Sequence, residues 1–323
     1  MSKDIYHFAD FQLDWGRLIR PLRAHRIEDP SKRSISGEAP KDFVLEQPRA
    51  GNRQPQNWIG YIAKVGAKRY PTESITEQLM TRIGQLCGLR IANSKLAIVD
   101  GQLRFLSQYF LKDGEESLVH GAEIFEPILS KELVKEIAEK RGEREFYTFQ
   151  MVEEAVRSSF PQHATAIMRG FVKMLAFDAL VGNQDRHFYN WAIVTPVRKN
   201  LPPRFSPIYD TARGLFWNMD EPGIRQLLNN PPSLDGYINR SHPMLGWDKY
   251  GKVKHFELIQ LVWENRPEYR ECCRRFSATT FREKSRHLLD CEFKHLMSTE
   301  RRELIKRSLA LRHRRLCEAV SKC

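Results

Sequence analysis

Gly182-Asn183-Gln184-Asp185-Arg186-His187-Phe188-Tyr189-Asn190 is the stretch on which the reading of this chain turns. It sets a carboxylate, Asp185, five positions before a carboxamide, Asn190. It leaves an apolar helical stretch and enters an apolar strand-like run, Trp191–Val194. A carboxylate on such a loop can take a proton from a hydroxyl, and an amide oxygen beside it can hold a hard cation. A second carboxylate follows the apolar pair Ile208-Tyr209, at Asp210, where a strand end would present it. Each residue alone also has a plain structural reading: Asp185 as a loop cap, Asn190 as a turn residue, Asp210 as a helix N-cap. The three in this order point to chemistry.

The Asp–Asn interval is that of the protein-kinase catalytic loop, where the Asp receives the substrate hydroxyl proton and the Asn holds magnesium. Phosphoryl transfer needs an aligned acceptor, a cation against the developing charge, and donors around the phosphates. Upstream, Trp58–Val65 alternates as a strand, with Gly60, Ile62 and Lys64 on one face and Tyr61, Ala63 and Val65 on the other. A lysine on an apolar sheet face is costly unless it meets an anion. An ATP phosphate and Glu77 would both serve; the other reading turns Lys64 to solvent. Glu77 opens the next helix, where a carboxylate also suits the helix dipole. Arg186 is expected to pair with a loop carboxylate or a phosphoserine. His187 is expected to bond the loop backbone or Asp210 as a structural residue. Ser34-Ile35-Ser36-Gly37 can fold over phosphates through its backbone N–H groups, or be an ordinary loop.

Around these residues the pattern predicts a strand at Asp42–Leu45 and a helix at Thr76–Leu86, stopped at Gly88. A hairpin follows, Lys95–Val99 and Gln102–Phe110, turning at Asp100-Gly101. Helices are expected at Lys131–Lys140, Phe146–Ser158 and Ala164–Leu180, then a strand at Trp191–Thr195. Residues 215–247, rich in Pro, Gly and Asn, carry no clear assignment. Four helical stretches follow Lys254, broken near Pro267, Ser277 and Ser298. The expected fold class is α+β, a bilobal protein-kinase-like fold. Its β-rich N-lobe covers 1–112, and its larger helical C-lobe covers 113–323.

With 323 residues, 41% hydrophobic and 11% aromatic, the chain can bury a proper core. No run of about eighteen apolar residues is present, so no membrane span is expected. Met1–Phe11 has no basic-then-apolar signal pattern, and the expected location is cytoplasmic. Six cysteines without a C-x-x-C pair give no zinc signature. Net charge is +12, and residues 251–323 carry 18 Lys or Arg against 10 Asp or Glu. That density, greatest over Arg301–Arg315, is either a patch for nucleic acid, an acidic protein or phosphate, or a solvated helix face.

The ordered motifs resemble the HipA-like serine/threonine kinases, the kinase toxins of bacterial toxin–antitoxin operons. Asn183–Asn190 fits the family's N-x-D-R-H-x-x-N loop, and Pro207-Ile208-Tyr209-Asp210 fits its P-x-Y-D magnesium motif. Arg33–Lys41 looks like its phosphate loop, Tyr61-Ile62-Ala63-Lys64 like its ATP-lysine strand, and Leu106–Phe110 like its adenine hinge. The resemblance implies ATP and Mg2+ as cofactors, and it gives Lys64, Glu77, Gln108, Phe110, Ser34, Ser36 and Gly37 to nucleotide binding. It makes Asp185 the base and gives Asn190 and Asp210 to magnesium. It also implies autophosphorylation of Ser34 or Ser36. The chain departs from the family in three places: only some thirty residues precede the phosphate loop, the hinge reads Gln-Tyr-Phe-Leu, and Glu38-Ala39-Pro40 stands where Ala-Gln is usual. As a short member it would have a protein substrate, on family analogy a translation-related one. It would also have a small antitoxin or a separate N-subdomain-like inhibitor, and would reach DNA only through a partner. Two other classes stay open: a phosphoinositide or small-molecule kinase with the same loop, and a non-enzymatic pseudokinase or repressor subunit.

Overall fold

The computed structural model describes residues 15–22, 25–28, 41–48, 54, 57–65, 72–126, 129–130, 132, 147–197 and 201–321. Of the expected helix at Lys131–Lys140 only residue 132 is among them, and the Ser34-Ile35-Ser36-Gly37 loop lies outside them.

The first part of the chain is built on one antiparallel sheet. Its strands are β1 (His25–Glu28), β2 (Lys41–Glu46), β3 (Ile59–Val65), β4 (Ser94–Val99) and β5 (Gln102–Gln108), in the order β1-β2-β3-β5-β4. Asp100 and Gly101 turn β4 into β5 with φ of 50° and 77°. Positive φ at both central residues matches the right-handed twist of the two strands, and the Asp-Gly pair tolerates it. Residues that face each other across the pairing share a face of the sheet. Tyr61, Ala63, Val44 and Leu106 therefore bury one side, and Lys64 comes out opposite Lys41 and Phe105 on the other. Helix α1 (Glu73–Leu86) lies against β4 and β5 and buries Ile75, Leu79, Met80 and Ile83. It starts three residues before the expected Thr76, so Glu77 is its fifth residue. The β5 strand ends at Gln108, two residues short of expectation, and the Tyr109 N–H makes one more bond in the same register, to the Gly60 carbonyl of β3, 2.9 Å away.

The second part is mostly helical. A three-stranded sheet in the order β6 (Glu116–His120), β7 (Ala192–Pro196), β8 (Arg204–Phe205) flanks it. Helices α2 (Gly121–Phe125), α3 (Phe149–Ser159) and α4 (Ala164–Val181) come next, and α4 is apolar nearly all round because it runs through the core. Thr148 accepts from the Met151 N–H and starts α3 later than periodicity suggested. Gly182, at φ 68°, stops α4 one residue past the expected end. The segment without a clear assignment holds two helices, α5 (Glu221–Leu228) and α6 (Pro231–Asn239). Helices α7 (His255–Asn265), α8 (Arg270–Arg274), α9 (Phe281–Cys291) and α10 (Thr299–Ser321) complete the chain. Pro267 and Arg275 begin short 3-10 turns at two of the expected breaks.

Much of the charge of the basic helix α10 is used inside the fold, while Arg307 and Arg314 stay exposed. Arg301 is buried and donates to Glu221 and to the Phe216 and Met219 carbonyls. Arg312 is buried and donates to the Ala179 carbonyl at the end of α4 and to Ser241. Arg302 and Lys306 meet Asp290, and Arg315 meets Asp235. The cations tie α10 to its neighbours. The architecture is the expected α+β, with a small antiparallel sheet first and a larger helical part after it, and among the described residues no helix is long and apolar enough to cross a membrane.

Candidate active site

Lys64 ends up between two carboxylates that lie 13 and 146 positions away in sequence. Its Nζ donates to Glu77 Oε1 at 2.7 Å and to Asp210 Oδ1 at 3.0 Å. The side chain is 14% exposed, which settles the anion reading over the solvent one. Burial opposes its charge, but Asp210 and Glu77 outweigh burial and hold its pKa above that of a free lysine. Burial likewise works against the charge of Asp210, and Lys64 and Lys41 overcome it, holding the carboxyl well below the usual carboxylate range. Glu77 is pushed upward by burial, with Lys64 pulling the other way. Lys41, opposite Lys64 in the register, brings a second ammonium to 3.8 Å from Asp210. Sequence analysis had Lys41 only as the end of the resembled phosphate loop, and its place across the strand from Lys64 was not read.

The loop after α4 is held from beneath by Arg186. This guanidinium is buried and donates Nε and Nη2 to Asp178, at 2.9 and 3.0 Å, in a two-pronged pair. Its Nη1 donates to the carbonyls of Asn190 (2.6 Å) and Tyr209 (2.8 Å). One side chain thus fixes the loop, the end of α4 and the approach to Asp210 together. Asp178 also accepts from Asn183 Nδ2 at 2.9 Å. Sequence analysis missed Asp178; its signal was a lone carboxylate inside the apolar run Phe177–Val181. His187 Nδ1 accepts from the Tyr189 N–H at 3.2 Å, the loop-backbone role expected of it.

Asn190 donates its Nδ2 to the Asp185 carbonyl at 2.6 Å, which leaves its side-chain oxygen for a cation. Asp210 sits at φ 54°, a left-handed conformation uncommon for Asp that the Arg186 contacts help to enforce. Among the described residues no cluster of three or more His, Cys, Asp or Glu makes a protein-only metal cage. One carboxylate and one carboxamide fit magnesium shared with phosphates, the way this ion is usually held. Burial raises the pKa of Asp185, opposed chiefly by Arg213, whose Nε lies 3.3 Å from Asp185 Oδ2.

The expected hinge residues divide. Phe110 reaches Tyr209, with ring centres 6.1 Å apart. Gln108 pairs with Tyr61 in the register, on the face opposite Lys64, and its Oε1 accepts from Asn93 Nδ2 at 3.3 Å. Its side chain therefore stands away from the Lys64 cluster. Ser107 and Phe105, on the Lys64 face, line a small recess with Glu77, Thr81 and Asp210. Ser34, Ser36 and Gly37 lie outside the described residues.

A family model described as HipA-like C-terminal domain matches residues 33–276. No curated protein sequence matches the chain. Among solved structures, the Helicobacter pylori proinflammatory kinase CtkA is similar at TM-score 0.72 and 18% identity, over 94% of this chain and 96% of that one. HipA, from the Shewanella oneidensis MR-1 toxin–antitoxin complex of HipA, HipB and operator DNA, is similar at TM-score 0.52 and 13% identity, over 94% of this chain and 74% of that one. At such identities the likeness speaks for the fold.

Proposed function

This chain belongs to the HipA-like C-terminal domain family, and we propose that it is an ATP- and Mg2+-dependent serine/threonine protein kinase. The observation that carries this reading is the convergence on Asp210. Lys64 bridges Glu77 and Asp210 on one side, and Arg186 ties Asn190 to the Tyr209-Asp210 backbone on the other. In this reading a nucleotide lies between an N-lobe of residues 1–112 and a C-lobe of residues 113–323. Lys64, steadied by Glu77, meets its phosphates, and Lys41 adds a second cation. Asn190 and Asp210 supply the oxygens for Mg2+, which when bound neutralises charge on the phosphates. Asp185 orients the acceptor hydroxyl and takes its proton. Phe110 and the backbone at Gln108 border the adenine.

Autophosphorylation at Ser34 or Ser36 is part of the proposal, as are a cytoplasmic location and a small antitoxin-like partner. The complex of the Shewanella oneidensis HipA with HipB supports the partner. Incubation with ATP and Mg2+ should add phosphate to the purified chain, read by intact mass and mapped to Ser34 or Ser36. Asp185→Asn should abolish the gain. An unchanged mass for the wild-type chain, under conditions where calorimetry shows ATP bound, would sink the reading.

A further inference from the structure

Arg213 stands apart from the other cations of the site. Lys64 is committed to Glu77 and Asp210, Lys41 sits against Asp210, and Arg186 is buried beneath the loop. Arg213 comes from the turn after Asp210 and reaches the open side of Asp185. Its Nε is 3.3 Å from Asp185 Oδ2 and its Nη1 3.5 Å from Oδ1, with the side chain 52% exposed. The guanidinium carbon lies 5.3 Å from the centre of the Trp217 ring, which limits where the group can swing.

The backbone fixes the base of this arm. The Gln184 N–H donates to the Arg213 carbonyl at 3.3 Å, and the Leu215 N–H to the Val181 carbonyl at 3.1 Å. At position 214 a Cβ would come within 2.8 Å of the Val181 carbonyl oxygen, so only glycine lets the turn approach this closely. Leu215 and Phe216 then hold positive φ, at 45° and 63°. A turn strained at two residues and stitched to the catalytic loop is a firm mount for one flexible side chain.

We infer that Arg213 is a catalytic residue, which leaves Asp185 when an acceptor enters and donates to the equatorial oxygens of the phosphoryl group in flight. The inference rests on the kinase reading. In the transfer, the acceptor oxygen bonds to the γ-phosphorus and its proton passes to Asp185. The bond from that phosphorus to the β–γ bridging oxygen breaks, and its electron pair leaves on ADP. Arg213 takes no part in these bonds. It meets the charge that spreads over the three remaining oxygens, and a pre-placed fork of donors is worth most there. A cation on the acceptor side completes what Lys64 and the metal oxygens supply from the nucleotide side.

The test compares the full-length wild type with Arg213→Ala and Arg213→Lys, by calorimetry with Mg2+-ADP alone and with Mg2+-ADP plus aluminium fluoride, which stands in for the phosphoryl group. The wild type should bind the aluminium fluoride complex much more tightly than ADP. Arg213→Ala should lose most of that gain at unchanged ADP affinity, and Arg213→Lys should keep part of it. Turnover should fall about a hundredfold in Arg213→Ala with the KM for ATP unchanged. An Ala variant that keeps the full gain, or that loses ADP affinity equally, overturns the inference. A wild type that transfers phosphate while Arg213→Ala transfers it equally well removes this role alone. A wild type that binds no ADP removes the kinase reading together with it.

Discussion

Arg186 and Asp178 are each about 2% exposed, and their pairing is the support on which the candidate site rests. Removing one partner of such a pair leaves a buried charge without its counterion, at a cost of about 3–5 kcal/mol. Arg186→Lys is not conservative here. An ammonium cannot hold both Asp178 oxygens and also reach the Asn190 and Tyr209 carbonyls. Asp178→Asn and Arg186→Lys should each lower the denaturant midpoint substantially and abolish phosphate transfer; a variant as stable and active as wild type would show that the loop holds itself. At this scale sequence was informative in one direction only. It singled out Asp185, Asn190 and Asp210 because their types and order carry chemistry. It expected Arg186 to meet a loop carboxylate or a phosphoserine, whereas its partner lies on the preceding helix, and it missed Asp178. Its place in the apolar run Phe177–Val181 marks Asp178 as enclosed, but sequence alone does not say which cation it meets.

Helix α1 carries Glu77, so its seating decides whether Lys64 is aligned. Its apolar face is buried, and two polar ties to the C-terminal helices hold its far end. Arg275 donates to the Cys87 and Gly88 carbonyls at 3.0 and 2.7 Å, and Arg82 makes a two-pronged pair with Glu292 at 2.8 and 2.7 Å. Gly88 is at φ 64°, and a Cβ there would come within 2.4 Å of Arg275 Nη2. Gly88→Ala should therefore destabilise by at least the about 1–2 kcal/mol of a left-handed non-glycine residue, and amide exchange over α1 should quicken. Exchange unchanged across Glu73–Leu86 would mean that the apolar face alone seats the helix. The Arg82–Glu292 pair is exposed at both ends and adds little on its own. The signal for Gly88 as a helix stop was legible; the partner 187 positions on was not. The opposite failure occurred at 215–247. Asp220 and Asn230 cap α5 and α6 by accepting from the Gly223 and Ser233 N–H groups, with prolines in the first turn. Prolines that look like loop residues in composition are helix starters at that position. A short helix with few apolar residues gives periodicity too little to work on.

Across the whole molecule the division into sheet and helical parts was legible because strand alternation and helix periodicity dominate long segments. The fate of the positive charge was not, since it depends on which carboxylates and carbonyls α10 meets. Burial gives a further property of the whole fold, its response to alkali. Cys273 and Cys87 are pushed up to about 12 by burial, and Tyr269 and Tyr61 are also raised to about 12, first by burial and then by Glu153 and Glu46 respectively. In the unfolded chain thiols ionise near about 8.5 and phenols near about 10. Between those values and about 12 the unfolded state has lost protons that the folded state keeps, so stability falls as pH rises. Lys64, whose folded pKa is raised, adds to the loss as pH climbs through it. Arg312 acts the other way: burial lowers it to about 10, so its contribution improves above that pH. Lys41 and Arg90 are also lowered by burial, but the five raised groups outnumber these three and set the net sign. Thermal melts should hold steady to about pH 8.5 and then fall steadily to pH 11, with the steepest loss above pH 9. Over the same range iodoacetamide should label the exposed Cys291 readily and leave the enclosed Cys273 unmodified until the chain unfolds. A melting temperature flat to pH 11, or early labelling of Cys273, would show that these groups are reached by water in the folded chain and that the core around α8 is open.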